Sequence, residues 1–200
     1  MSYLKDLFQA LDIGSLTDAA TRLVGVFLCL TIHETCHGLA AYALGDPTAK
    51  REHRLILNPL HHIDWLGLAL MFTVGFGWAK PVPVNPNYFR KPKQGMAVTA
   101  LAGPVSNVLL ALVFLFLYGL LYRALYSVRF LLDMIWLTAY ISLALAIFNI
   151  IPVSPLDGSK VLFALLPDAA YAKLMRYERY GMILLLALVA TGVLGKPLTT

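Results

Sequence analysis

Apolar residues run along this chain in long blocks separated by short polar stretches, and the block lengths set the first reading. The first block, Leu23–Leu44, predicts a helix over about 18–44, which Gly45-Asp46-Pro47 stops. Ahead of it, Leu4, Leu7, Phe8 and Leu11 fall at helical spacing and predict a short amphipathic helix on a membrane surface. Residues 46–64 are polar, with no sustained helical period. Within them Arg54–Leu57 reads as a short strand and Asn58-Pro59 as a turn. Residues 65–79 are apolar, but fifteen residues holding three glycines fall short of the about 20 needed to cross a bilayer. They predict a re-entrant or strand-like segment sheltered by protein. Residues 80–95 carry four prolines and four cations, the composition of an extended interfacial loop. Two long spans follow, 96–122 and 131–151. Pro152 and Pro155 break the second just before Asp157-Gly158. The tail holds a short apolar piece, Val161–Leu166, a charged stretch, Lys173–Arg179, and an apolar block of sixteen residues, 180–195.

Composition turns these blocks into membrane segments. The 200 residues are 59% hydrophobic and 14% charged, with a mean hydropathy of +0.72. Soluble domains carry about 45–50% and about 25%. A single integral-membrane domain over 1–200 is expected, with a core about 18–165, an interfacial region 46–95 and C-terminal helices 166–200. The net charge of +5 does not point to nucleic acid, because the Lys and Arg fall in loops between apolar runs. There they act as topology signals and contacts to anionic lipid. If Gly45 faces the cytoplasm, the inside loops collect eleven Lys and Arg between Lys50 and Arg179, and the outside keeps four: Lys5, Arg123, Arg129 and Lys196. Cys29 and Cys36 are seven residues apart on one helix, about 10 Å, too far for a disulfide. Cys36 reads as a small core residue rather than an extra ligand. Cleavage of a secretory signal at Ala41-Tyr42-Ala43 would remove the motif described next, and Asp6, Asp12 and Asp18 precede it, so a signal peptide is rejected.

Inside the first block sits His33-Glu34-Thr35-Cys36-His37. Positions i and i+4 share a helix face, so His33 and His37 can grip one metal ion. Glu34, beside them, can act as a base toward a water activated by that ion. A charge at that depth costs roughly 2.5–3.5 kcal/mol even on a lenient insertion scale, so these groups need a partner. A catalytic zinc site takes three protein ligands and leaves one position open. Candidates for the third are Asp157, His53, His61, His62 and Asp64. Asp157 is best placed, since it follows a broken span, Gly158 permits a tight turn, and no Lys or Arg lies within two residues. His61 and His62 point opposite ways in extended backbone, so at most one reaches the site. Asn107 offers an amide that either stabilises an oxyanion or makes an interhelical hydrogen bond. The chemistry reads as metal-assisted hydrolysis of a peptide bond.

Three separated motifs carry a resemblance. They are H-E-x-x-H at 33–37, Gly103-Pro104-Val105-Ser106-Asn107, and the run from Asn149 through Pro152 and Pro155 to Leu156-Asp157-Gly158. Together they resemble the site-2 protease family of intramembrane zinc metalloproteases, over about residues 20–165. Gly45–Lys50, Leu57–Leu60 and Trp78–Asn85 are similar to its compact bacterial and archaeal branch. The resemblance implies a membrane all-α polytopic bundle with a three-helix catalytic core, here about 18–44, 96–122 and 131–151. It implies one Zn2+ per chain, held by His33, His37 and Asp157, with Glu34 catalytic. Asn107 and Asn149 would position or polarise substrate. The implied partners are transmembrane protein substrates, cut within the bilayer, and the expected place is a prokaryotic inner membrane, where the Lys and Arg counts above put the site toward the cytoplasmic half. No apolar span precedes the motif helix and no PDZ-like or nucleotide-sensing part is evident, so substrate filtering is expected from the core, from 46–95 or from partners.

A helix offers no free backbone to a protease, so a substrate must unwind locally. An extended stretch could pair with an edge in 54–57 or 80–86, which makes Val82 and Val84 candidate substrate-binding residues. Oligomerisation is compatible with the sequence but nothing requires it. Among rivals, a desaturase-type di-iron enzyme needs many more than the five histidines present. A metal or proton transporter using the same cluster would not need Glu34 between the histidines.

Overall fold

The computed structural model describes residues 16–74, 77–177, 180, 181 and 187. The surface helix expected around Leu4–Leu11 and nearly all of the block 180–195 lie outside them. Seven α-helices are described: α1 Leu16–Ala43, α2 Thr48–Arg51, α3 Trp65–Val74, α4 Pro92–Leu121, α5 Arg129–Ile150, α6 Asp157–Ala164 and α7 Asp168–Tyr177. Short 3-10 turns occupy Pro59–His62 and Pro86–Tyr88. Helices α1 (over Ala20–Ala43), α4 and α5 are each long and apolar enough to cross a membrane. At 1.5 Å per residue they run about 33–45 Å, against a hydrocarbon core of about 30 Å.

The three spans pack on one another through small side chains. Cys29 of α1, Ala100, Gly103 and Ala111 of α4, and Ala139, Ser142 and Ala146 of α5 are buried between them. Lipid gives helices no hydrophobic reason to associate, so close backbone approach through small residues supplies the contact. Large apolar side chains face outward instead, as with Leu109, Leu112, Phe116 and Leu120 on α4 and Trp136, Leu143 and Ile147 on α5. That inverted pattern is a membrane all-α bundle, and the chain is an integral membrane protein.

The expected re-entrant or strand-like segment at 65–79 proves helical at its start, as α3. Its flanks meet in an antiparallel bridge between Ile63 and Ala79, and the Lys80 N–H donates to the His62 carbonyl at 2.9 Å. The segment thus returns to where it began, which fits re-entry rather than a full crossing. Neither 54–57 nor 80–86 joins a ladder among the described residues. Their backbone groups bond side chains instead. Thr35 Oγ1 and His62 Nε2 donate to the Ile56 carbonyl at 3.2 and 2.9 Å.

Residues Lys80–Asn85 form an extended strap clamped at both ends. Arg54, 6% exposed, donates through Nη2 to the carbonyls of Lys80 and Pro81 at 2.8 and 3.3 Å. At the other end the Asn85 N–H donates to the fully buried Asp46 at 2.6 Å. Asp46 also accepts from the Thr48 N–H and hydroxyl, immediately after Gly45 ends α1 in the left-handed region at φ +105°. The strap therefore lies against the end of α1 that carries the H-E-x-x-H motif.

Candidate metal centre and active site

The helical spacing places His33 and His37 as neighbours on α1, with ring centroids 4.5 Å apart. Their Nε2 atoms are 3.0 Å from each other. Asp157 Oδ2 completes a triangle, 3.0 Å from His33 Nε2 and 3.2 Å from His37 Nε2. All three residues are buried, at 3%, 8% and 8% exposure. His33 and Asp157 are 124 residues apart in sequence.

Asp157 reaches the triangle because α5 stops at Ile150 and the chain restarts as α6 at Asp157 itself. Gly158 serves this junction by close approach, not by an unusual turn. A Cβ there would sit 2.1 Å from the Ile150 carbonyl oxygen. Burial pushes the Asp157 carboxyl up, and the His33 and His37 imidazoles more than offset it. It is held well below the usual carboxylate range.

Helix α4 forms the wall behind the rings. His37 Nδ1 donates to the Thr99 carbonyl at 2.7 Å, and since a carbonyl can only accept, Nδ1 carries a proton, which in the neutral ring leaves Nε2 as the nitrogen open to a metal. Gly103 makes room: a Cβ there would lie 2.5 Å from His37 Nε2 and 2.6 Å from His33 Cε1. Pro104, inside α4, removes the N–H that would bond the Ala100 carbonyl and loosens the turn next to Thr99. Asn107 Nδ2 lies 3.2 Å from His33 Nδ1. Its side chain is fully buried, and its Oδ1 has no hydrogen-bond partner.

Glu34 is held by the strap. Its Oε2 accepts the Val82 N–H at 2.9 Å. Val82 stands between Pro81 and Pro83, so its N–H is the sole backbone donor of that tripeptide.

The structure thus brings together His33, His37 and Asp157, with Glu34 on the strap side and Asn107 behind His33. The other candidate ligands lie elsewhere. His53 and His61 are exposed, His62 bonds the Ile56 carbonyl, and Asp64 accepts the Gly67 N–H at the start of α3. Val82 is buried, and half-buried Val84 packs against Ala41, Phe89 and Met96. Asn149 is half-buried, and its Nδ2 donates to the Leu145 carbonyl of its own helix at 3.0 Å. Reading by residue type misses Thr99, Arg54 and Asp46. For Arg54 a signal existed: a cation ahead of Leu55-Ile56-Leu57 needs internal partners once buried.

The donor set fits a zinc ion. Two imidazole nitrogens and one carboxylate oxygen converge with their acceptor ends toward one point, which only a shared proton or a cation can reconcile. Among the described residues this is the one group of His, Cys, Asp and Glu whose ligand atoms lie that close.

The profile of peptidase family M50 matches residues 124–194. The chain is 39% identical over 178 residues to the Bacillus subtilis protein named "Putative zinc metalloprotease YwhC", covering 84% of this chain and 80% of that one. It is 25% identical over 179 residues to the Mycolicibacterium smegmatis protein named "Putative zinc metalloprotease Rip2", covering 87% and 68%. No solved structure matches. With membrane spans, a zinc-ready ligand set and relatives of this kind, the chain belongs to peptidase family M50, the site-2 protease family of zinc metalloproteases.

Proposed function

We propose that the chain is an intramembrane endopeptidase that holds one zinc through His33, His37 and Asp157 and hydrolyses peptide bonds in or near transmembrane segments of substrate proteins. The observation that carries this reading is the depth of the ligand triangle. His37 and His33 lie six and ten residues before the end of α1 at Ala43, about 9 and 15 Å inside a membrane-crossing helix.

Zinc bound there supplies Lewis acidity toward a water and a peptide carbonyl. Glu34 takes a proton from the attacking water and passes it to the leaving amine nitrogen. The water oxygen ends on the acyl carbon as the C–N bond breaks. The Val82 N–H fixes the direction of the Glu34 side chain. Asn149 is assigned to substrate positioning. An unwound substrate strand pairs along the strap near Val82 and Val84, beside the base that must act on it. The loops at the strap end face the cytoplasm of a prokaryotic inner membrane, following the excess of Lys and Arg there.

Purified protein in liposomes with a helical transmembrane substrate tests the reading. Glu34→Gln is expected to keep zinc and lose cleavage. A Glu34→Gln protein cleaving at the normal rate overturns it, and metal flux unaffected by Glu34→Gln favours a transporter.

A further inference from the structure

We propose that Asn107 is a positioning residue for the metal centre: its amide oxygen accepts the Nδ1–H of His33 and holds that ring in the tautomer whose Nε2 can bind zinc. The inference rests on the zinc reading above.

The two histidines face α4 in parallel ways. His37 has its Nδ1 proton fixed by the Thr99 carbonyl, a group that can only accept. His33 needs the same service, because a nitrogen that ligates metal cannot carry a proton, so the proton must sit on Nδ1. The group within reach of that nitrogen is the Asn107 amide, 3.2 Å away. As placed, Nδ2 faces the ring, which would demand a bare Nδ1 and a proton on Nε2, pointing at the other ligands. Turning the amide by 180° exchanges its two ends without moving the chain. Either orientation leaves one buried amide end unpaired, so that cost does not choose between them. The His33 proton does.

The amide is also unsuited to an oxyanion. It is 0% exposed and meets His33 at Nδ1, the ring atom away from the ligand triangle. Its backbone is fixed in turn. Ser142 Oγ of α5, itself fully buried, donates to the Asn107 carbonyl at 2.8 Å. All three spans therefore bear on the direction of one imidazole. Partners of ligating histidines typically contribute 10–100-fold in metal affinity.

The test is zinc affinity by chelator competition, with the visible spectrum of the cobalt-substituted protein, on full-length protein in detergent. Asn107→Leu removes the acceptor and is expected to weaken zinc roughly 10–100-fold and alter the cobalt bands. Asn107→Asp keeps an acceptor oxygen and loses the amide N–H, so it is expected to retain wild-type affinity and bands. Asn107→Ala carries the same expectation as leucine where leucine prevents folding. The inference is overturned if aspartate loses as much as leucine or alanine, or if these lose nothing. A wild-type protein that binds no zinc would instead remove the zinc reading itself.

Discussion

At the scale of single residues, the centre depends as much on a missing atom as on its ligands. In an exposed helix, Gly→Ala stabilises by roughly 0.5–1 kcal/mol. At Gly103 the added Cβ would lie 2.5 Å from His37 Nε2 and 2.6 Å from His33 Cε1, inside the contact distance of both rings. Gly103→Ala is therefore expected to fold with its spans intact yet bind zinc at least about tenfold more weakly, as lost support for ligating histidines does. Chelator competition beside circular dichroism measures both. Asp157→Ala removes one of the three proposed ligands and is expected to lose most of the bound zinc, measured as metal content per chain. The cluster of His33, His37 and Asp157, with Glu34 beside it, was legible in the sequence because each is a side chain with a letter and a spacing. The Thr99 carbonyl and the Val82 N–H were not, because every residue but proline carries both groups and only the fold says which are aimed.

At the scale of elements, the strap couples the interfacial region to Glu34. Arg54 and Asp46 clamp its ends and Glu34 takes its middle N–H. Arg54→Met keeps the apolar stem and loses the donors. It is expected to reduce cleavage roughly 10–100-fold, the scale of a misplaced reacting group, with zinc content unchanged. The two valines separate two roles. Val82→Pro deletes the N–H that Glu34 accepts, whereas Val84→Pro leaves Glu34 alone and tests strand pairing with substrate. Impaired turnover in Val84→Pro with normal zinc supports pairing, and unchanged turnover removes it. The ends of the spans were readable to within a few residues because Gly45 and the prolines stop helices by backbone chemistry. Helix α3 was not, since a short apolar run rich in glycine has no period to tell helix from strand. Arg54–Leu57 has strand-like composition, yet the Thr35 and His62 side chains satisfy the Ile56 carbonyl that a ladder would use.

At the scale of the whole molecule, three spans put the His33, His37 and Asp157 cluster near one end of the bundle. Lys93 at the start of α4 reaches the Leu166 carbonyl and Asp168 beyond α6, so the loops before α4 and after α5 share that end. The turn at 122–128 lies at the other end of α4. In a background lacking Cys29 and Cys36, cysteines placed at Lys50 and Lys173 are expected to react with an impermeant thiol reagent from one side and a cysteine at Tyr126 from the other. Labelling of all three from one side contradicts the three-span arrangement. Zinc-edge X-ray absorption of the purified protein reads out whether two imidazoles and a distant carboxylate hold one zinc inside the membrane, as proposed. The expected result is a first shell of nitrogen and oxygen alone at about 2.0–2.2 Å, with the outer scattering of two imidazoles. A sulfur shell at about 2.3 Å, which would enlist Cys36, or fewer than two imidazoles would contradict it.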